Sequence, residues 1–183
     1  LVIGLRAEIE YDIKVRSSTE DGSSYGAAST SYTTSELPFI VPEPTLITAK
    51  KRAYQPGWTL TNSQERSGKY PAVAYMFDED GHTVWYFVVE EEGDPRGDID
   101  TRYLENGNIL VGAGYHTSPL EIDLAGNVVW QGPVQEYPRM HHHFDKLPNG
   151  NYLTLRHIND NDYPDLTGDI IQEINPNHDA VWS

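Results

Sequence analysis

The sequence predicts an all-β protein whose larger part is a partial β-propeller of two to three four-stranded blades. Three observations carry that expectation. A hairpin motif, Tyr103-Leu104-Glu105-Asn106-Gly107-Asn108-Ile109-Leu110, returns 43 residues later as Lys146-Leu147-Pro148-Asn149-Gly150-Asn151-Tyr152-Leu153. A second motif occurs at Phe77 to Trp85, Ile122 to Trp130 and Ile174 to Trp182, with tryptophans 45 and 52 residues apart. No stretch has a convincing helical period. Two hairpins within about 45 residues are the content of one propeller blade.

The elements follow in order. Ala7 to Arg16 alternates and puts Ile9, Tyr11, Ile13 and Val15 on one face of a strand. A polar Ser/Gly stretch from Ser17 to Ala28 separates it from a weaker strand at Ser29 to Thr34. Gly4 to Tyr11 resembles the tyrosine-corner region of a fibronectin type III sandwich, and Tyr32-Thr33-Thr34 followed by Leu37-Pro38 resembles its last strand and exit. Residues 1–36 are therefore expected to be the C-terminal half of such an immunoglobulin-like domain. Leu1-Val2-Ile3-Gly4 reads as the interior of a domain, which places the expected native N-terminus upstream. Pro38, Pro42 and Pro44 mark residues 37–47 as a stiff linker. The propeller part is expected over 48–183. Each Asn-Gly between apolar runs predicts a hairpin through a type I′ turn. The terminal Trp of each second motif is suited to packing between blades. An open arc of blades leaves sheet edges and an apolar blade face bare. The chain is thus expected to be a piece of a longer protein, with the rest of the propeller or another chain covering those edges.

Composition excludes several classes. The formal net charge is −15. That argues against nucleic acid, which needs clustered Lys and Arg, and against an anionic membrane surface. No apolar run is long enough to span a bilayer, and no signal peptide opens the chain. Zero cysteines exclude disulfides, thiolate zinc sites and a Cys nucleophile.

The sharpest hint of chemistry is His141-His142-His143, just ahead of the second Asn-Gly hairpin. On a regular strand His141 and His143 face one way and His142 the other, so three adjacent imidazoles do not close on one ion. Asp145 shares the His141/His143 face. No metal site and no cofactor are expected. His116, at the end of the strand Ile109 to Gly114, and Arg156, at the end of Leu153-Thr154-Leu155, are further candidates for substrate binding, as is His141. His82 and His178 fall in corresponding turns and are expected to be solvent-exposed. Asp78-Glu79-Asp80-Gly81 and Asn159 to Asp162 lack the terminal Glu of a calcium loop and are expected to be solvated, like Glu90-Glu91-Glu92.

These residues carry a family resemblance. Pro56-Gly57-Trp58-Thr59-Leu60-Thr61-Asn62 resembles the entry to the propeller of bacterial arylsulfate sulfotransferases. His141 to Asn151 resembles that family's His-His-Asp segment and the Leu-Pro-Asn-Gly-Asn turn after it. The resemblance covers about residues 37 to 183. It implies a six-bladed propeller, periplasmic or extracellular. The implied activity transfers a sulfuryl group from an aryl sulfate to a phenolic acceptor by a ping-pong route through a sulfated histidine. Aligned on Leu147 to Asn151, the second family His falls on His142. The family Asp falls on His143, a departure from the pattern. The nucleophilic His and an Arg would come from later blades, beyond Ser183, so the 183-residue chain by itself is expected to be inactive. A sulfuryl group needs NH or cationic donors for its oxygens, an acid for the leaving phenolate and a base for the incoming phenol. Histidine suits each task. His142 and His143 are accordingly the expected catalytic residues. The rival reading is a non-catalytic secreted propeller used for binding or extracellular assembly.

Overall fold

A computed structural model describes residues 1–48, 53–63, 70–89, 100–112, 118–133, 140–159 and 167–183. The described residues are strands and turns, without helix, arranged in four small antiparallel sheets. Strands β1 (Glu10–Ser18) and β2 (Ser24–Thr33) form a hairpin. A three-stranded sheet follows, of β3 (Thr59–Ser63), β4 (Val73–Phe77) and β5 (Thr83–Val88). The next sheet holds β6 (Asp100–Tyr103), β7 (Ile109–Gly112), β8 (Leu120–Ile122) and β9 (Val128–Gln131) in chain order. The last holds β10 (Met140–Lys146), β11 (Tyr152–Asn159), β12 (Thr167–Ile174) and β13 (Ala180–Trp182), again in chain order.

The two four-stranded meanders are the repeats legible in the sequence, and the three-stranded sheet matches their last three strands. The first strand of each four-stranded sheet adjoins the sheet before it: β6 touches β3, and β10 touches β6 and β7. This is the arrangement of a partial propeller.

Five hairpin turns share one geometry. In each, the first residue receives a hydrogen bond from the fourth and donates one to the fifth, as Leu104 does with Gly107 (2.9 Å) and Asn108 (2.9 Å). This is a type I turn followed by a bulge, and it differs from the type I′ turn expected from Asn-Gly. Gly107 and Gly150 take φ +87°, whereas Asn106 and Asn149 stay at negative φ. Their side chains explain the choice: each Asn Oδ1 accepts the amide two residues on, at 3.1 and 3.0 Å. That bond holds the Asn as the third residue of a right-handed turn and leaves positive φ to Gly alone. Gly150→Ala should cost about 1–2 kcal/mol, the usual penalty for a Cβ in the left-handed region, and is checked by the urea midpoint. His178 occupies the glycine position of the last turn at φ +75°, and its Nε2 lies 2.9 Å from Gln131 O. It is exposed, as expected; His82, one residue past the glycine of the corresponding turn, is half-exposed and lies beside Glu43 at 3.3 Å.

Two apolar cores fill the gaps between sheets. Ala74, Met76, Val84 and Trp85 of the first sheet meet Ile109, Val111 and Ile122 of the second. Leu104 and Leu110 of the second meet Met140, Phe144, Tyr152 and Ile174 of the third. The tryptophans pack between sheets and also bond across them. Trp85 Nε1 donates to Leu124 O (3.0 Å), and Trp130 Nε1 donates to Pro176 O (2.9 Å), one repeat later. Trp130 stacks on Tyr152 with ring centres 3.8 Å apart.

One charge is buried at the second interface. Glu121 is 1% exposed. Its Oε1 accepts from Asn106 (2.9 Å) and Asn108 (2.6 Å) of its own sheet. Its Oε2 accepts from Lys146 Nζ (2.6 Å) and Tyr152 Oη (2.7 Å) of the next sheet. Burial by itself would raise the Glu121 carboxyl. The donors, Lys146 first and then Asn108, Asn106 and Tyr152, override it and hold the group at about 2.

The N-terminal part is docked on the first sheet. Tyr11 Oη accepts from Arg6 N at 2.8 Å, which ties the segment ahead of β1 to that strand. The Arg6 guanidinium bridges Asp78 (2.7 Å) and Asp80 (2.6 Å), so this acidic run is engaged by a cation of the chain itself. The proline-rich segment is more than a spacer. Leu37, Ile40 and Val41 cover Val73 and Tyr75, and Thr83 Oγ1 donates to Pro42 O (2.6 Å).

Candidate functional site

The histidine run lies on β10, where the ladder with β11 is interrupted. Lys146, Asp145 and Phe144 pair in step with Tyr152, Leu153 and Thr154, but the next pair is Met140 with Arg156. Continued in step, the position opposite Arg156 would fall to His142. Met140 takes it, and three residues bulge where one would fit. The cause is packing. Phe144 and Met140 are 2% and 3% exposed, on a face buried against the second sheet. An imidazole there would be desolvated without a partner, while Met fills apolar space at no such cost. Plain alternation, expected for these histidines, therefore does not describe them. The side chains of His141 and His142 lie outside the described residues, as does all of His116.

His143 is described, and its neighbours were not foreseen. Arg102, on the adjacent first strand β6, puts Nη2 3.3 Å from Nδ1 and 3.1 Å from Nε2 of His143. A nitrogen this near to both ring nitrogens would collide with the carbon between them if it lay in the ring plane. Nη2 thus lies over the ring face, where a cation is tolerated. Asp100 Oδ2 lies 3.4 Å from both Arg102 Nη2 and His143 Nδ1, and Asp145 Oδ2 lies 3.5 Å from Arg102 Nη1. Arg102 Nε is buried and has no hydrogen-bond partner among the described residues.

This quartet spans two sheets where β6 and β10 meet, with side chains one-third to over one-half exposed. Gly112 lets the strands come this close: a Cβ there would stand 3.1 Å from Phe144 Cβ. A cleft of roughly 380 Å³ opens beside it, lined by Arg102, Asp145, Lys146 and the two Asn-Gly turns. Apart from the imidazole, the quartet has one cation against two carboxylates. It fixes and polarises the imidazole, and an anionic substrate would need further donors.

The sequence held a signal for Arg102 and Asp100. The 43-residue repeat sets Asp100 at the position of His143 and Arg102 at that of Asp145. Arg156, a substrate-binding candidate from the sequence, is engaged within its own sheet. Its Nη1 donates to Gln172 Oε1 on β12 at 2.6 Å, and burial lowers its pKa. None of the contacts that define the quartet involves it.

Small antiparallel meanders in chain order, packed sheet on sheet, are those of a partial propeller. A family model described as arylsulfotransferase (ASST) matches residues 43–183. The chain belongs to the arylsulfotransferase family. No curated protein matches the sequence.

Proposed function

We propose that this chain supplies one wall of an arylsulfate sulfotransferase site, with His142 and His143 as its working residues and Arg102 as a positioning residue. The reading is carried by one observation: in a chain of this family, Arg102 Nη2 sits against the His143 ring where β6 and β10 meet. Transfer would proceed in two halves. A nucleophilic histidine from residues outside this chain attacks the donor sulfur, the S–O bond to the aryl group breaks, and an acid of the wall protonates the departing phenolate. An acceptor phenol then attacks the sulfohistidine sulfur, the N–S bond breaks, and the same group, now a base, takes the phenolic proton. Histidine is suited to both roles near neutral pH. Asp100, facing His143 Nδ1, would orient the ring as carboxylates do in His-carboxylate pairs. His141 and His116 are retained as candidates for binding sulfate oxygens; Arg156 is a weaker one because Gln172 engages it.

The same reading takes residues 1–36 as the end of a fibronectin type III-like domain, 37–47 as the docked connection and 48–183 as part of a six-bladed ring. It places the protein in the periplasm or outside the cell. Among the described residues no helix is long and apolar enough to cross a membrane.

The test is incubation of the complete protein with an aryl sulfate and an acceptor phenol. Phenol release that depends on the acceptor supports the reading; none with any acceptor leaves the non-catalytic alternative. Arg102→Ala should lower kcat about tenfold, with little change in thermal midpoint, as for loss of one preorganising group at an exposed site. Unchanged turnover would remove Arg102 from the site.

A further inference from the structure

We infer, resting on the reading of residues 48–183 as part of a ring, that the sheet which packs on the outer face of the third sheet presents a basic residue and a tyrosine to Glu173. The inference comes from comparing equivalent positions at successive interfaces and is independent of the proposed chemistry.

Glu173 stands on β12 where Glu121 stands on β8. Its Oε1 accepts from Asn149 (2.9 Å) and Asn151 (2.6 Å), matching the clamp of Glu121 by Asn106 and Asn108. Half of the Glu121 arrangement is therefore already assembled. The missing half is what Lys146 and Tyr152 supply to Glu121. Trp182 repeats the argument. Trp85 and Trp130 each donate an indole N–H to a turn carbonyl of the next sheet. Trp182 is 56% exposed, against 8% for Trp85, and its N–H has no acceptor among the described residues. The surface around it is apolar: Ile171 is 51% exposed, and Leu153 is partly exposed where its equivalent Leu110 is 1% exposed.

The first interface shows that the partner residue follows the chemistry of this position. There the Glu121 position is Met76 and the Tyr152 position is Ile109, both in one apolar cluster. An apolar residue meets an apolar partner, and a carboxylate meets a cation and a phenol. A clamped carboxylate at 173 thus asks for the second kind of partner, because an unpaired one would be costly to bury. A second copy of this chain does not fit. It would have to offer the outward face of its first sheet, which Leu37, Ile40 and Val41 cover and where the Tyr152 position is Thr59.

The test extends the chain after Ser183 with a copy of its residues 132–183, which keeps the spacing between consecutive tryptophans and carries the required lysine and tyrosine. Amide exchange should show the added strands ordered, and the Trp182 indole N–H, assigned with Trp182→Phe, should lose its water-exchange peak. Glu173→Met should bring that peak back. Pairing Glu173→Met with Lys146→Tyr and Tyr152→Ile in the added copy, which imitates the first interface, should remove it again. An added sheet that stays unfolded, or one that folds while Trp182 remains in exchange, overturns the inference. So does dimerisation of the unextended chain with Trp182 protected, since the occupant would then be a second copy.

Discussion

Glu121→Ala should destabilise the protein by about 3–5 kcal/mol, the usual cost of removing one partner from a buried ionic pair. The carboxylate collects four donors from two sheets, and its loss leaves Lys146 and Tyr152 without their acceptor. Tyr152 is 2% exposed and its hydroxyl would be stranded in an apolar core. Glu121→Gln separates charge from volume. It keeps an acceptor for one donor and loses the ion pair, so about half of that cost is expected. The pH dependence has a defined sign. The folded carboxyl is held at about 2, below its ordinary value of 4.5. A depressed acid releases its proton more readily in the folded state, so folding gains stability above pH 4.5. That gain, of order 3 kcal/mol, drains as pH falls from about 4.5 to about 2. Urea midpoints at pH 7 and pH 3 for wild type and Glu121→Gln should differ less at the lower pH. Equal differences at both would show that the latch carries no such linkage.

His142→Ala in the complete protein should cut sulfuryl transfer by about 10² to 10⁴, the range for loss of a positioned acid or base. The thermal midpoint should barely move, because Met140, not His142, fills the buried ladder position opposite Arg156. A matching loss for His143→Ala with normal donor binding would assign the proton transfer to the quartet. Turnover that survives His142→Ala would take His142 out of the site and leave His143, in contact with Arg102, as the remaining group.

The repeat was legible because each copy must solve the same backbone problem. A tight turn needs a left-handed residue, so Gly107, Gly126 and Gly150 recur in phase. A blade needs a large side chain to fill the gap to its neighbour, so Trp85, Trp130 and Trp182 recur as well. The turn type was not legible, since Asn-Gly is compatible with more than one turn and the Asn side chain made the choice. The bulge at His141 to His143 was hidden for a related reason. Alternation assumes an unbroken ladder, but the ladder gave way so that Met140 and Phe144 could both reach the core. Arg102 and Asp100 lay within reach of the repeat offset, yet they carried no sign of function until β6 and β10 stood side by side.

Local sequence determined the strands, the hairpin positions, the repeat and the histidine run, because propensity and turn chemistry act between near neighbours. Tertiary structure decided which side chains meet: Glu121 with Lys146 and Tyr152, His143 with Arg102, and the proline-rich segment with the first sheet. Those pairs join residues 25 to 41 positions apart in the case of Glu121 and Arg102. Only the burial of apolar area between sheets fixes such contacts, and no pattern within one strand encodes that geometry.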